Sequence, residues 1–396
     1  MKKQTTLIFI SLLFFSCATI KYKKQGFVLK EDFINEVSFD YINDLIFIPV
    51  TIDNKKYNFL FDTGAELNII DPLIVDSLNL KKLKKGTISN GKNSNSGIQR
   101  VEINNIEIGG VQFFETVGMV WDMTKVANLV GCVKIDGIIG NNLMRKAIWQ
   151  IDYKNKKIKI SDKVANFHIS DNAKKTVMHS GNYGNVFLNV QINDKIKKFT
   201  FDTGFNGFMQ TGDTAYLRNK SYITTIGLTG GDYSGKKEGE TYFSYLESFA
   251  VNNLEFKSPS LFLIKPNNSS ILGNEFYKNF TLTIDWKNDL LHFDTQKDIE
   301  FRSPDLFEMS LYADYGKNEI LISSINKESS LLGQIKPHTK VLYINDYDVS
   351  SFRKDELCAF WENEWVHLKK LEKLNLTVET EGSTKKLIVE KIKKVW

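Results

Sequence analysis

The tetrapeptide Phe61-Asp62-Thr63-Gly64 recurs as Phe201-Asp202-Thr203-Gly204. An Asp on a sharp Gly-containing turn presents a carboxyl that can accept a proton from water or donate one to a reacting oxygen. One such tripeptide is ordinary turn chemistry, because Asp and Gly are common turn residues. Further matches follow both copies in the same order. Ile138-Ile139-Gly140-Asn141 corresponds to Ile271-Leu272-Gly273-Asn274, and Ile151-Asp152-Tyr153-Lys154-Asn155 to Ile284-Asp285-Trp286-Lys287-Asn288. A weaker match relates Ile106–Phe113 to Phe249–Phe256. Together they mark a duplication, running from about residue 40 to 162 and from about 180 to 296. Two carboxylic acids brought within about 3 Å cannot both ionise readily; they share one proton and offer an acid and a base together.

The elements that must carry these residues read as strands. Upstream of each Asp lies an Ile followed by an Asn/Asp pair, Ile52-Asp53-Asn54 and Ile192-Asn193-Asp194. These are hairpin turns, since Asn and Asp tolerate the positive φ of tight turns, and the strand after each turn delivers Asp-Thr-Gly to a loop. Val101–Ile108 and Phe187–Ile192 alternate apolar and polar residues with the period of half-buried strands. Gly109-Gly110 and Asn252-Asn253 mark further turns. The Gly-rich stretches Gly86–Gly97 and Gly227–Gly239 read as hairpin tips, either plain surface hairpins or mobile flaps over a cleft. Ser161–Lys175 is polar and reads as a linker. With 28 Phe, 15 Tyr and only 6 Pro, the body should be mainly β. The net charge of +5 is spread over scattered lysines, so no nucleic-acid partner is expected. His168, His179, His292, His338 and His367 show no ligand spacing, so neither a metal nor another cofactor is expected.

The paired motifs resemble the clan of aspartic proteases that includes pepsins and retropepsins. The resemblance rests on Asp62-Thr63-Gly64 and Asp202-Thr203-Gly204, each followed by an apolar-apolar-Gly block at Ile138-Ile139-Gly140 and Ile271-Leu272-Gly273. It implies two retropepsin-like β-barrel lobes in tandem around a pseudo-twofold axis, with Asp62 and Asp202 as the catalytic dyad. Gly64 and Gly204 would let the loops approach closely, and Thr63 and Thr203 would hydrogen-bond across the axis. The chemistry implied is attack by a water on a peptide carbonyl, without a covalent acyl-enzyme. Ala65 matches retropepsins, while Phe205 removes a hydroxyl that assists the dyad in pepsins. Two polar hairpins suggest a retropepsin-like dimer fused into one chain; the flap Tyr of pepsins is missing from Gly86–Gly97, although Tyr233 lies in the second copy.

The two ends carry separate signals. Lys2 and Lys3 precede the apolar stretch Leu7–Phe15, which ends at Ser16-Cys17. This has the layout of an export signal and resembles a bacterial lipoprotein lipobox, with Phe14-Phe15 as the departure. It implies a signal peptide over 1–17 and lipidation of Cys17; an ordinary cleaved signal or a buried strand is the alternative. Cys132 and Cys358 lie far apart, so no disulfide is expected, and Cys132 reads as a packed small hydrophobe. After Phe301-Arg302-Ser303-Pro304 the repeat ends. Strand-like runs follow at Glu319–Ile325, Lys340–Ile344, Leu374–Glu379 and Lys386–Val389, with a helix over Ser350–Phe360 capped at Ser350 or Ser351. Ile335–Asn345 resembles the PDZ stretch Leu-Lys-Pro-Gly-Asp, with His338 and Thr339 replacing Gly-Asp and no clear carboxylate-binding loop upstream. A purely structural β-rich cap is the alternative to a small PDZ-like β/α domain.

The expected organisation is a signal peptide (1–17), a first lobe (18–165), a second lobe (166–300) and a PDZ-like domain (301–396) dispensable for bond hydrolysis. The expected protein is a monomeric endopeptidase acting on peptides or proteins, exported and lipid-anchored to a bacterial membrane. Two rivals are a catalytically inactive peptide-binding lipoprotein that retains both folds, and a structural lipoprotein with duplicated β domains.

Overall fold

The computed structural model describes residue 22 and residues 24–392, apart from 90–93, 182–183, 219, 233–234, 267 and 296–305. The proposed lipidation site Cys17, the tip of the first Gly-rich stretch and Tyr233 lie outside the described residues.

Strands dominate. The first copy runs β1 (Phe27–Val28), β2 (Ile34–Ser38), β3 (Asp40–Ile42), β4 (Leu45–Ile52), β5 (Lys55–Phe61), β6 (Asn68–Ile70), β7 (Lys81–Ser89), β8 (Ser94–Ile108), β9 (Val111–Val120), β10 (Gly137–Ile139), β11 (Ile148–Asp152) and β12 (Lys157–Ser161). Three short helices interrupt it: α1 (Pro72–Ser77), α2 (Thr124–Val130) and α3 (Asn141–Met144). The second copy runs β13 (Lys174–Val177), β14 (His179–Ser180), β15 (Val186–Ile192), β16 (Lys195–Phe201), β17 (Met209–Thr211), β18 (Tyr222–Asp232), β19 (Gly235–Val251), β20 (Leu254–Ile264), β21 (Ile271–Leu272), β22 (Thr281–Asp285) and β23 (Leu290–Asp294), with α4 (Asn274–Tyr277) after β21. Between β12 and β13, the expected linker holds a single 3-10 turn at Val164–Asn166.

The turns explain the pairing. Asp53 and Asn54 take φ of 50° and 60°, so β4 and β5 meet through a tight turn whose twist matches that of the strands. Asn193 (φ 53°) does the same for β15 and β16. The buried and exposed residues of β15 largely alternate, as a strand with one face on the core requires.

Each copy closes on itself by the same circuit. In the first, β4 pairs β5, β5 pairs β10, β10 pairs β6, β6 pairs β9, β9 pairs β8 and β8 returns to β4. In the second, β15, β16, β21, β17, β20 and β19 repeat that circuit and return to β15. A six-stranded sheet of order β13-β23-β22-β11-β12-β2 takes strands from both copies, and its central pair is β11 with β22. One apolar cluster runs through both copies, with Phe61, Phe113 and Trp149 on one side and Phe201, Phe276 and Tyr277 on the other.

Residues 306–392 form β24 (Met309–Asp314), β25 (Glu319–Asn326), β26 (Val341–Ile344), β27 (Tyr347–Asp348), α5 (Lys354–Ala359), α6 (Trp365–Leu368), β28 (Lys373–Thr380) and β29 (Ser383–Glu390) around a second apolar cluster. The four expected strands are present. The helix starts later than expected, because Ser350 turns back to hydrogen-bond Asp348 (N to Oδ1 3.0 Å) and Arg353 N–H is instead met by Glu356 (2.8 Å). A larger correction concerns the cysteines. Cys132 and Cys358 form a disulfide across 226 residues, because the chain near Gly131 comes up against Tyr315 and Cys132 packs on the apolar cluster of the third unit. This third unit is also not a detached appendage: β25 pairs β18 of the second copy, so β24 and β25 extend its sheet to ten strands.

Candidate active site

β5 and β16 end at Phe61 and Phe201, and the next residues are the two aspartates. Parallel pairing with β10 and β21 fixes both strand ends, and the Asp62 and Asp202 N–H groups donate to Ile139 O (3.1 Å) and Leu272 O (3.2 Å). The loops then turn into contact through reciprocal bonds. Thr63 N donates to Thr203 Oγ1 (3.0 Å) and Thr203 N to Thr63 Oγ1 (2.9 Å). Each hydroxyl donates onward to the opposite strand end, Thr63 to Phe201 O and Thr203 to Phe61 O, both at 2.8 Å. Both threonines are fully buried, so all four bonds are shielded from water.

The carboxyls follow from this arrangement. Asp62 Oδ1 accepts from Gly64 N (2.7 Å) and Ala65 N (3.1 Å), and Asp202 Oδ1 from Gly204 N (2.8 Å). The carboxyls hydrogen-bond to one another and remain partly open to solvent. A Cβ on Gly64 would stand 2.6 Å from Asp202 Cγ, and one on Gly204 would collide with the Asp62 carboxyl. Glycine is required at both positions by close approach, not by backbone φ.

Burial pushes the Asp202 carboxyl well above its usual range, and the charge of Asp62 beside it pushes the same way. Burial also raises Asp62, against the N–H groups of Gly64, Ala65 and Gly204 and the bond to Asp202, which favour its charged form. The pair therefore holds a proton where isolated carboxyls would have lost it, and titrates as a unit. Such a pair can take a proton from a water while donating one to an oxygen on the other side.

Two contributors had no role assigned from sequence. Asn141 Nδ2 donates to Thr63 O (2.8 Å) and Asn274 Nδ2 to Thr203 O (2.6 Å), bracing both loops from below. Asn274 Oδ1 in turn accepts from the buried Tyr153 hydroxyl (2.7 Å), a contact between the copies. The signal was in the repeat itself, which keeps Asn after the apolar-apolar-Gly block both times. Phe205, the departure from the pepsin pattern, lays its ring over Gly207 and Gly273. Among the described residues no His, Cys, Asp or Glu cluster suits a metal ion.

Residues 48–143, which contain Asp62, the 121–136 segment and the Ile138-Ile139-Gly140 block, match the family model for aspartyl protease. The chain thus carries an aspartic protease-like domain within a mainly β protein. No curated protein matches the sequence.

Proposed function

We propose that this chain is an aspartic endopeptidase in which Asp62 and Asp202 hydrolyse peptide bonds through one activated water. In this reading residues 18–165 and 166–300 are tandem retropepsin-like lobes and 301–396 a PDZ-like unit. The observation that carries it is the reciprocal threonine bonding that sets the two carboxyls against each other. The matching barrel circuits support the tandem arrangement, and the family match over 48–143 supports the protease class. The ionised member of the pair takes a proton from the water, and the protonated member donates to the carbonyl oxygen as the tetrahedral intermediate forms. Gly64 and Gly204 leave room for the facing carboxyls, and Asn141 and Asn274 brace each Asp loop within its own copy, with Tyr153 of the first copy tied to Asn274.

The export and anchoring part of the proposal rests on the Lys2-Lys3, Leu7–Phe15 and Ser16-Cys17 sequence alone. Cleavage of a peptide library by the wild type, with Asp62→Asn and Asp202→Asn beside it, tests the proposal. Wild-type cleavage blocked by a statine-type mimic of the tetrahedral intermediate and absent from both variants is expected. A folded wild-type protein that cleaves nothing across pH 3–8 would instead favour the inactive peptide-binding protein.

A further inference from the structure

The β18–β19 hairpin is gripped from outside the protease-like copies. Along β19, Lys236, Glu238 and Glu240 are alternate residues and share one face. Each meets an opposite or complementary group of the third unit. Lys236 Nζ lies 2.6 Å from Asp314 Oδ2 and 4.6 Å above the Tyr312 ring. His338 Nε2 lies 2.9 Å from Glu238 Oε1, and its Nδ1 is 2.9 Å from the Tyr312 hydroxyl. Lys327 Nζ lies 3.0 Å from Glu240 Oε1. Isolated surface pairs contribute little, but here three stand in register on one strand face, and the first two share Tyr312. Asp314 is fixed in advance: burial opposes its charge, yet Lys236 and the Gly316 and Lys317 N–H groups hold its carboxyl below the usual range.

The backbone repeats the grip on the neighbouring strand. β18 pairs β25 at Thr225↔Asn326, Ile226↔Ile325 and Gly227↔Ser324, and Lys327 N donates to Thr224 O at 2.8 Å. Gly227 takes φ +140°, and a Cβ there would collide with Ser323 O and stand 2.8 Å from Ser324 Cα. Only glycine lets the two backbones meet there. The same third unit is bonded to the first copy through Cys132–Cys358. Its hold therefore spans both copies.

We propose that residues 306–392 are a brace that positions the β18–β19 hairpin against the Asp202 side of the site, with Lys236, Glu238 and Glu240 as positioning residues. β19 runs into β20, and β20 pairs β17, the strand that leaves the Asp202 loop. Lys265, just after β20, brings its Nζ to within 3.8 Å of where a Cβ on Gly230 of β18 would stand. The hairpin is thus tied at one side to the Asp202 sheet and at the other to the brace, and forms a fixed wall rather than a free flap. Its kinetic consequence rests on the proteolytic reading; its structural consequence does not.

The test compares the full-length wild type with the Lys236→Met/Glu238→Gln/Glu240→Gln variant. Amide hydrogen exchange over 222–232 and 235–244 should rise at least about tenfold, while exchange in β11 and β22 stays unchanged. KM for a long peptide should rise several-fold with kcat nearly kept, as expected when a wall is lost and the carboxyl pair is not. Unchanged exchange in the hairpin of the triple variant overturns the brace. If the triple variant does not fold, Lys236→Met alone is held to the same exchange criterion. Raised exchange in the triple variant, beside a wild type that cleaves no peptide, would sink the protease reading and leave the brace standing.

Discussion

Replacing Thr203 by Val keeps the side-chain shape and removes one oxygen. That oxygen accepts from Thr63 N and donates to Phe61 O, and Thr63, Thr203 and Phe61 are all fully buried. The substitution strands one N–H and one C=O away from water. An orphaned buried polar group costs about 1–3 kcal/mol, so Thr203→Val should lose about 2–6 kcal/mol. Thr203→Ser keeps both bonds and gives up one methyl, about 1 kcal/mol. The order of stability should therefore be wild type, then Ser, then Val. Urea unfolding followed by tryptophan fluorescence reads it, since Trp149 and Trp286 are buried in the two copies. Thr63→Val should cost a similar amount, because Thr63 Oγ1 makes the mirror pair of bonds. The double variant loses all four and should not fold, since native domains hold only about 5–15 kcal/mol in total. A Thr203→Val protein as stable as Thr203→Ser would refute the reasoning, and would mean the loops are held by their strands and not by each other.

Asp62→Asn and Asp202→Asn should each abolish peptide hydrolysis, and the double variant should lose little more, as expected of groups acting as a unit; near-wild-type turnover by either single variant refutes the dyad. Asp202 also predicts a pH dependence of stability. Its folded-state carboxyl is raised above the ordinary 3.8, so the protonated form is favoured by folding; that stability is complete below the ordinary value and is lost as pH rises through the raised one. The melting temperature of Asp202→Asn should therefore gain on the wild type from pH 4 to pH 7, and a constant gap would show that burial does not penalise this charge. Cys17→Ala should release the protein from membranes and abolish labelling by radioactive palmitate; a membrane-bound, unlabelled wild type refutes the lipid anchor.

The pair of aspartates was legible because a duplication repeats what it needs. Asp62, Thr63 and Gly64 reappear as Asp202, Thr203 and Gly204, and two downstream blocks keep phase. Asn141 and Asn274 stood in the same blocks, yet Asn after Gly is also common in turns, and only the bonds to Thr63 O and Thr203 O separate the two roles. The Cys132–Cys358 bond was illegible for a different reason. Its partners are 226 residues apart, and nothing local signals that the 121–136 segment reaches α5. The docking of β25 onto β18 was hidden likewise: Gly227 looked like a flap glycine, while its actual constraint is the backbone of Ser323 and Ser324. The alternating charges of Lys236, Glu238 and Glu240 are visible in sequence as an exposed strand face, but their partners are chosen by tertiary structure.

The pairing of β11 with β22 bears on biogenesis. Ile148, Trp149 and Ile151 are completely or nearly completely buried, and Trp149 and Ile151 lie opposite Ile284 and Leu282. A ribosome finishes β11 well before it reaches Thr281, so the nascent chain carries an apolar strand with an open edge for the whole of that interval. An open edge is a template for another chain. Two nascent copies could satisfy it in trans, each lending its early half to the other, and an intertwined dimer is the assembly error this layout invites. A chaperone that covers residues 148–152 until the second half arrives would suppress that error, and dilution during refolding should do the same.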